Sequence, residues 1–129
     1  MKQIAYCLTI MTLVLNTGCA VALIGAGAAG TMAYIEGDLE ATEPYDVEKV
    51  YQASQVAIRE LGLARISQSQ DVLGAQIIAR DALDKKITIK IKYHTEYSSK
   101  LSIRVAMFGS EEKSRQIYLK IRECLAAAE

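Results

Sequence analysis

Between Lys2 and Glu36 the chain carries no charged side chain, and that stretch decides how much of its 129 residues is left to build a core. If the charge-free opening up to Ile35 stands apart, about a hundred residues or fewer remain to fold, which is room for one domain with one hydrophobic core.

The opening has its own internal order. Lys2 precedes the apolar run from Ile4 to Leu15, which has the length of a signal-peptide core behind a short positive end. Asn16-Thr17-Gly18-Cys19 follows and resembles the bacterial lipobox, in which Leu, a small residue and Gly or Ala lead to an invariant Cys. Gly18-Cys19 carries most of that resemblance, because Leu15 sits one place early and Asn16 holds the usual Leu position. The resemblance implies that the Cys19 thiol becomes a thioether to diacylglycerol and that cleavage before Cys19 frees an amine for further acylation. Stable anchoring takes more than one acyl chain, each buried methylene contributing about 0.8 kcal/mol. Ala20, rather than Asp, after the Cys implies sorting to the outer membrane, facing the periplasm.

The expected organisation is a signal peptide over 1–18, a lipidated N-terminus and Gly/Ala-rich tether over 19–33, and a folded domain over 34–129. An uncleaved membrane helix is the competing reading, since apolar residues run on past Cys19 toward Ala33. Asn16, Thr17 and the glycines Gly18, Gly25, Gly27 and Gly30 are poor material for such a helix. Gly25-Ala26-Gly27-Ala28-Ala29-Gly30 matches the GxGxxG spacing of dinucleotide-binding turns, but it follows a leader rather than a buried strand and no helix pattern continues it. A tether is the better reading of these glycines.

Lys plus Arg equals Asp plus Glu at 15 each, so no excess charge marks the chain for nucleic acid. Cys7 lies in the leader, Cys19 at its end and Cys124 near the far terminus, which is neither a disulfide framework nor a CxxC metal or redox pair. With Trp absent and one Phe, the core must rest on Ile, Leu, Val, Ala and Tyr.

From Tyr34 the pattern alternates, with Ile35, Gly37, Leu39 and Ala41 on one face and Glu36, Asp38, Glu40 and Thr42 on the other. This predicts one half-buried strand ending at Pro44. Asp46 caps a helix with Val47, Val50, Ala57, Ile58 and Leu61 on its apolar face and Gly62 as its stop. Four strands are expected next, at about 63–69, 73–80, 86–93 and 100–108, with Met107 on the apolar face of the last. Ser110 then caps a helix whose stripe is Ile117, Ile121, Cys124 and Leu125. The fold expected is α+β: an antiparallel sheet of about five strands with two helices packed on one face, in the order β-α-β-β-β-β-α. The acidic first strand is expected beside the last, where Lys90 and Arg104 lie in reach of its acids.

Gly18-Cys19, the Gly/Ala-rich stretch, the strand Tyr34-Ile35-Glu36-Gly37-Asp38-Leu39-Glu40-Ala41 and the entry Phe108-Gly109-Ser110 together resemble a domain-of-unknown-function family of small bacterial envelope lipoproteins. The resemblance covers nearly the whole chain and implies an envelope lipoprotein with no established activity, cofactor or catalytic residues. Cys19 is the one position it carries over.

Candidate chemistry is sparse. His94 is the sole histidine and has Glu96 beside it, but one His and one acid make neither a metal site nor a triad. No enzyme, metal or cofactor is expected. The expected role is a tethered, non-enzymatic envelope module that supports or binds another protein, or the cell-wall or membrane surface, through its sheet face or helices, with the membrane as its partner through the anchor and no nucleic acid. A small-ligand-binding periplasmic lipoprotein is the alternative, and it needs an apolar concavity between helices and sheet.

Overall fold

Positive φ angles at Glu36 (50°) and Gly37 (91°) fold the acidic N-terminal segment back on itself. Two central residues with positive φ are what a two-residue type I′ hairpin requires. The single strand expected over 34–42 is therefore two: β1, Thr31–Ile35, and β2, Asp38–Glu43. The computed structural model describes residues 31–128, so Cys7, Cys19, the expected leader and the GxGxxG segment lie outside the described residues.

The remaining elements follow the expected order. They are α1 (Val47–Glu60), β3 (Ala64–Asp71), β4 (Gly74–Arg80), β5 (Lys86–Thr95), β6 (Ser98–Val105) and α2 (Glu111–Ala127). The sheet has six antiparallel strands, against about five expected, in the order β1-β2-β6-β5-β4-β3.

Local chemistry explains the helix ends. Asp46 accepts the Lys49 N–H at 2.8 Å and Ser110 accepts that of Lys113 at 3.5 Å, which satisfies a donor that the first turn leaves open. At the other end of α1, Gly62 takes φ +71°, while Leu61 and Gly62 donate to Ala57 and Arg59. This is glycine's usual role after a helix.

The core lies between one sheet face and both helices. Leu39, Ile103, Ile89 and Ile77 stand in one cross-strand row over β2, β6, β5 and β4, each at 1% exposure or less. Ala41, Leu101, Ile91 and Ala75 form the next row. Val50, Tyr51, Ala57 and Ile58 of α1 and Ile117, Tyr118, Ile121 and Leu125 of α2 close over them. Burying one such aliphatic side chain contributes roughly 1.5–3 kcal/mol.

Several expected core positions lie elsewhere. Ile35 is 51% exposed while Tyr34 packs on the core, because the two-residue turn reverses which positions of β1 share a face with Leu39. Leu61 has passed the helix end and is exposed, and Cys124 is only partly buried at the edge of the core. β6 stops at Val105, where Ala106 adopts φ 62°, so Met107 and Phe108 leave the sheet.

Candidate interaction surfaces

The antiparallel order gives the sheet two ends of different chemistry. At the entry end the chain enters β1 at Thr31, and the β3–β4 and β5–β6 turns lie there too. At the distal end are the β1–β2 turn, the β4–β5 turn and the β6–α2 loop.

Arg104 organises the distal end. Its Nε donates to Asp38 Oδ1 at 2.5 Å, its Nη2 to the Glu36 carbonyl at 2.9 Å and its Nη1 to the Met107 carbonyl at 3.0 Å. One planar guanidinium thus ties the β1–β2 turn to the β6–α2 loop, and the Asp38 carboxylate raises its already high pKa further. The acidic strand does lie against β6, with Asp38 opposite Arg104, and Lys90 is one strand further away, opposite Ser102. Gly109, at φ +83°, lets the loop press against Gly37 and the Tyr34 hydroxyl. Fixed in this way, Met107 and Phe108 stand 78% and 89% exposed, and Leu83 of the β4–β5 turn is also exposed at this end.

The entry end carries a second apolar group. Val72 and Leu73 occupy the β3–β4 turn, while Tyr93 and Tyr97 flank the β5–β6 turn, and all four are exposed. Asp71 Oδ1 accepts the Leu73 and Gly74 N–H groups at 2.8 and 2.9 Å and so holds the turn that presents Val72. Lys90, Lys92 and Lys100 lie beside them on the helix-free sheet face, with Lys92 directly opposite Lys100. A depression of about 450 Å³ has Leu73, Tyr93, Lys90 and Lys92 in its lining, together with Asp71.

Beneath the surface, β2 brings one acid into the core. Glu43 continues the parity of Leu39 and Ala41 and is 0% exposed. Arg122 of α2 donates to its Oε2 at 2.7 Å, and Tyr118 belongs to the same cluster. Burial, and then the hydrogen bond to Glu43, push the Tyr118 phenol well above its ordinary pKa. The Glu43 Oε1 and the Ser99 Oγ have no hydrogen-bond partner among the described residues, and these two residues stand opposite each other in the β2–β6 register. Parity alone could have located Glu43.

Between the helices, a groove of about 410 Å³ opens beside Ala53, Val56, Cys124 and Ala127, with Lys49 and Glu60 on its rim. Lys120 pairs with Glu60 at 2.9 Å, and burial, followed by the negative charge of Glu60, raises the Cys124 thiol pKa. The space between helices and sheet, where a ligand pocket was expected if there was one, is occupied by the core rows. His94 is an exposed residue of β5 at an irregularity in its pairing with β6. Among the described residues no three His, Cys, Asp or Glu side chains gather as metal ligands do, and no helix is long and apolar enough to cross a membrane.

Residues 2–124 match the family model described as Protein of unknown function (DUF3568). The chain belongs to the DUF3568 family. That match spans both the uncharged N-terminal segment and nearly all of the α+β domain of this DUF3568 protein. No curated protein matches the chain.

Proposed function

We propose that this DUF3568 protein is an envelope lipoprotein, anchored through acylated Cys19 in a bacterial membrane, the outer membrane by its Ala20, and that its domain is a non-enzymatic module that binds another envelope protein. The anchor half rests on the apolar run ending in Gly18-Cys19. The binding half rests on one observation: Met107 and Phe108 project from a loop that Arg104 and Gly109 hold in place, at the end of the sheet opposite chain entry. Exposed apolar side chains on a fixed scaffold favour a protein contact, because little ordering entropy is lost on docking.

The buried charges support a structural use of the interior. Glu43 is engaged by Arg122 and Asp81 by Lys113, which leaves these acids in ion pairs rather than facing a cleft. The groove between α1 and α2 favours a second reading, a small apolar ligand held beside Val56 and Cys124.

Two measurements test the proposal. Intact mass of the protein purified from membranes is expected to fit a chain beginning at Cys19 plus acyl groups, and a retained leader with an unmodified Cys19 thiol would overturn the anchor. A photo-crosslinking side chain at Phe108 is expected to capture the same envelope protein in repeated cultures, and one at the exposed helix position Leu119 is not. Equal capture at both positions would remove the binding-module reading.

A further inference from the structure

We infer that the Val72-Leu73 turn, Tyr93, Tyr97 and the lysines Lys90, Lys92 and Lys100 form a docking surface for an anionic phospholipid bilayer. This rests on the proposal that Cys19 is acylated.

Three observations converge on it. The first is reach: the chain from Cys19 enters β1 at Thr31, and fully extended those residues span at most about 40 Å. An anchored sulfur thus keeps the domain within reach of the bilayer, where even a weak contact with lipid is strongly populated.

The second is side-chain chemistry. Val72 is 92% exposed and Leu73 72%, on the turn fixed by Asp71, and Tyr97 is 76% exposed on the neighbouring turn. Apolar turn tips flanked by tyrosines suit the headgroup boundary, where an aromatic ring is half in hydrocarbon and its hydroxyl stays wet.

The third is charge. Lys92 and Lys100 face each other across β5 and β6, a like-charge pair that is unfavourable unless an anion lies between or beside them. None of Lys90, Lys92 and Lys100 takes part in an ion pair with a described residue. The depression that Lys90 and Lys92 line together with Leu73 and Tyr93 offers ammonium groups to a phosphate and apolar side chains to glycerol or acyl carbons. Asp71 also lines this depression, with its Oδ1 engaged by the Leu73 and Gly74 N–H groups. Asp46 caps α1, Glu48 is engaged by Gln52 and Gln70, and Glu96 sits in the β5–β6 turn.

The absence of Trp from the sequence provides a clean reporter. The full chain, purified from membranes in detergent, is reconstituted into vesicles of phosphatidylcholine and phosphatidylglycerol, with and without brominated acyl chains. The Tyr97→Trp and Leu73→Trp variants are expected to show blue-shifted emission that brominated lipid quenches, and the Phe108→Trp variant neither effect. Replacing both Lys92 and Lys100 by Gln in the Tyr97→Trp background is expected to reverse the blue shift in phosphatidylglycerol vesicles. Protein that floats with the vesicles but shows no quenching at Tyr97→Trp and Leu73→Trp, or equal quenching at Phe108→Trp, overturns the docking surface and leaves the anchor standing. Protein that does not float overturns the anchor, and the docking surface with it.

Discussion

Arg122 of α2 donates from Nη1 to Glu43 Oε2 at 2.7 Å, and the carboxylate that it meets has no solvent exposure. Arg122 keeps a quarter of its side-chain surface in water, so the desolvation falls mainly on Glu43. Removing one partner of such a pair costs more than removing both, because a lone buried charge has nothing to offset its lost hydration. Arg122→Met is therefore expected to lower the unfolding free energy by about 3 kcal/mol. The double replacement Glu43→Leu with Arg122→Leu is expected to lose less than that single change. Urea unfolding of both variants at neutral pH checks the order, and a double variant weaker than Arg122→Met would contradict it.

Two buried serines should respond in opposite directions. The Ser54 hydroxyl donates to the Val50 carbonyl at 2.7 Å, whereas Ser114 Oγ has no partner among the described residues. A buried hydroxyl without a partner carries a desolvation cost of about 1–3 kcal/mol, and Ala is also the better helix former. Ser114→Ala is expected to raise the thermal midpoint and Ser54→Ala to lower it. Calorimetry of the two variants reads the sign directly.

Glycine is needed for different reasons at Gly62 and Gly109. At Gly62 the backbone has φ +71° but a Cβ would meet nothing within 4 Å, so Gly62→Ala is expected to cost only the left-handed strain, about 1–2 kcal/mol. At Gly109 a Cβ would collide with the Gly37 carbonyl and the Tyr34 hydroxyl. Gly109→Ala is thus expected to be the more destabilising and to speed amide exchange of the Glu36–Gly37 turn. Equal losses at the two sites would argue against the packing of the loop on the hairpin.

Much of this arrangement could be read from residue order. Alternation in β5 and β6 located the central strands, and Asp46, Gly62 and Ser110 marked helix ends, because each of these signals is local. The β1–β2 hairpin escaped because Ile35, Gly37, Leu39 and Ala41 alternate without a break, and a run of alternation cannot show that the chain has reversed in its middle. Gly37 between two acids was the available signal, since only a turn needs its φ of 91°. Met107 escaped for a related reason. Its parity fits the sheet, but the left-handed backbone at Ala106, in a chain about to meet Gly109, takes it out. The entry-end surface depends on which turns share an end, and topology rather than any local motif decides that.

Asp81 gives the domain a dependence on acid. Its Oδ2 accepts Lys113 Nζ at 2.5 Å, and its Oδ1 accepts the Leu83 and Lys85 N–H groups at 2.9 Å each. The hydrogen bond from Lys113, followed by that from the Lys85 N–H, holds its carboxyl below the ordinary aspartate range. A carboxyl whose folded pKa is depressed stabilises the fold fully above the unfolded value, near about 4, and that stability is lost as pH falls through the lower folded value. Asp81→Asn is therefore expected to be less stable than the native protein at pH 6, with the gap narrowing as the pH falls below about 4. Lys113→Met removes the hydrogen bond that does most to hold the Asp81 carboxyl low while keeping the turn, so it is expected to move acid unfolding to higher pH. Urea titrations between neutral and strongly acid pH measure both effects, and an unchanged pH slope in Asp81→Asn would assign the acid sensitivity to another carboxylate.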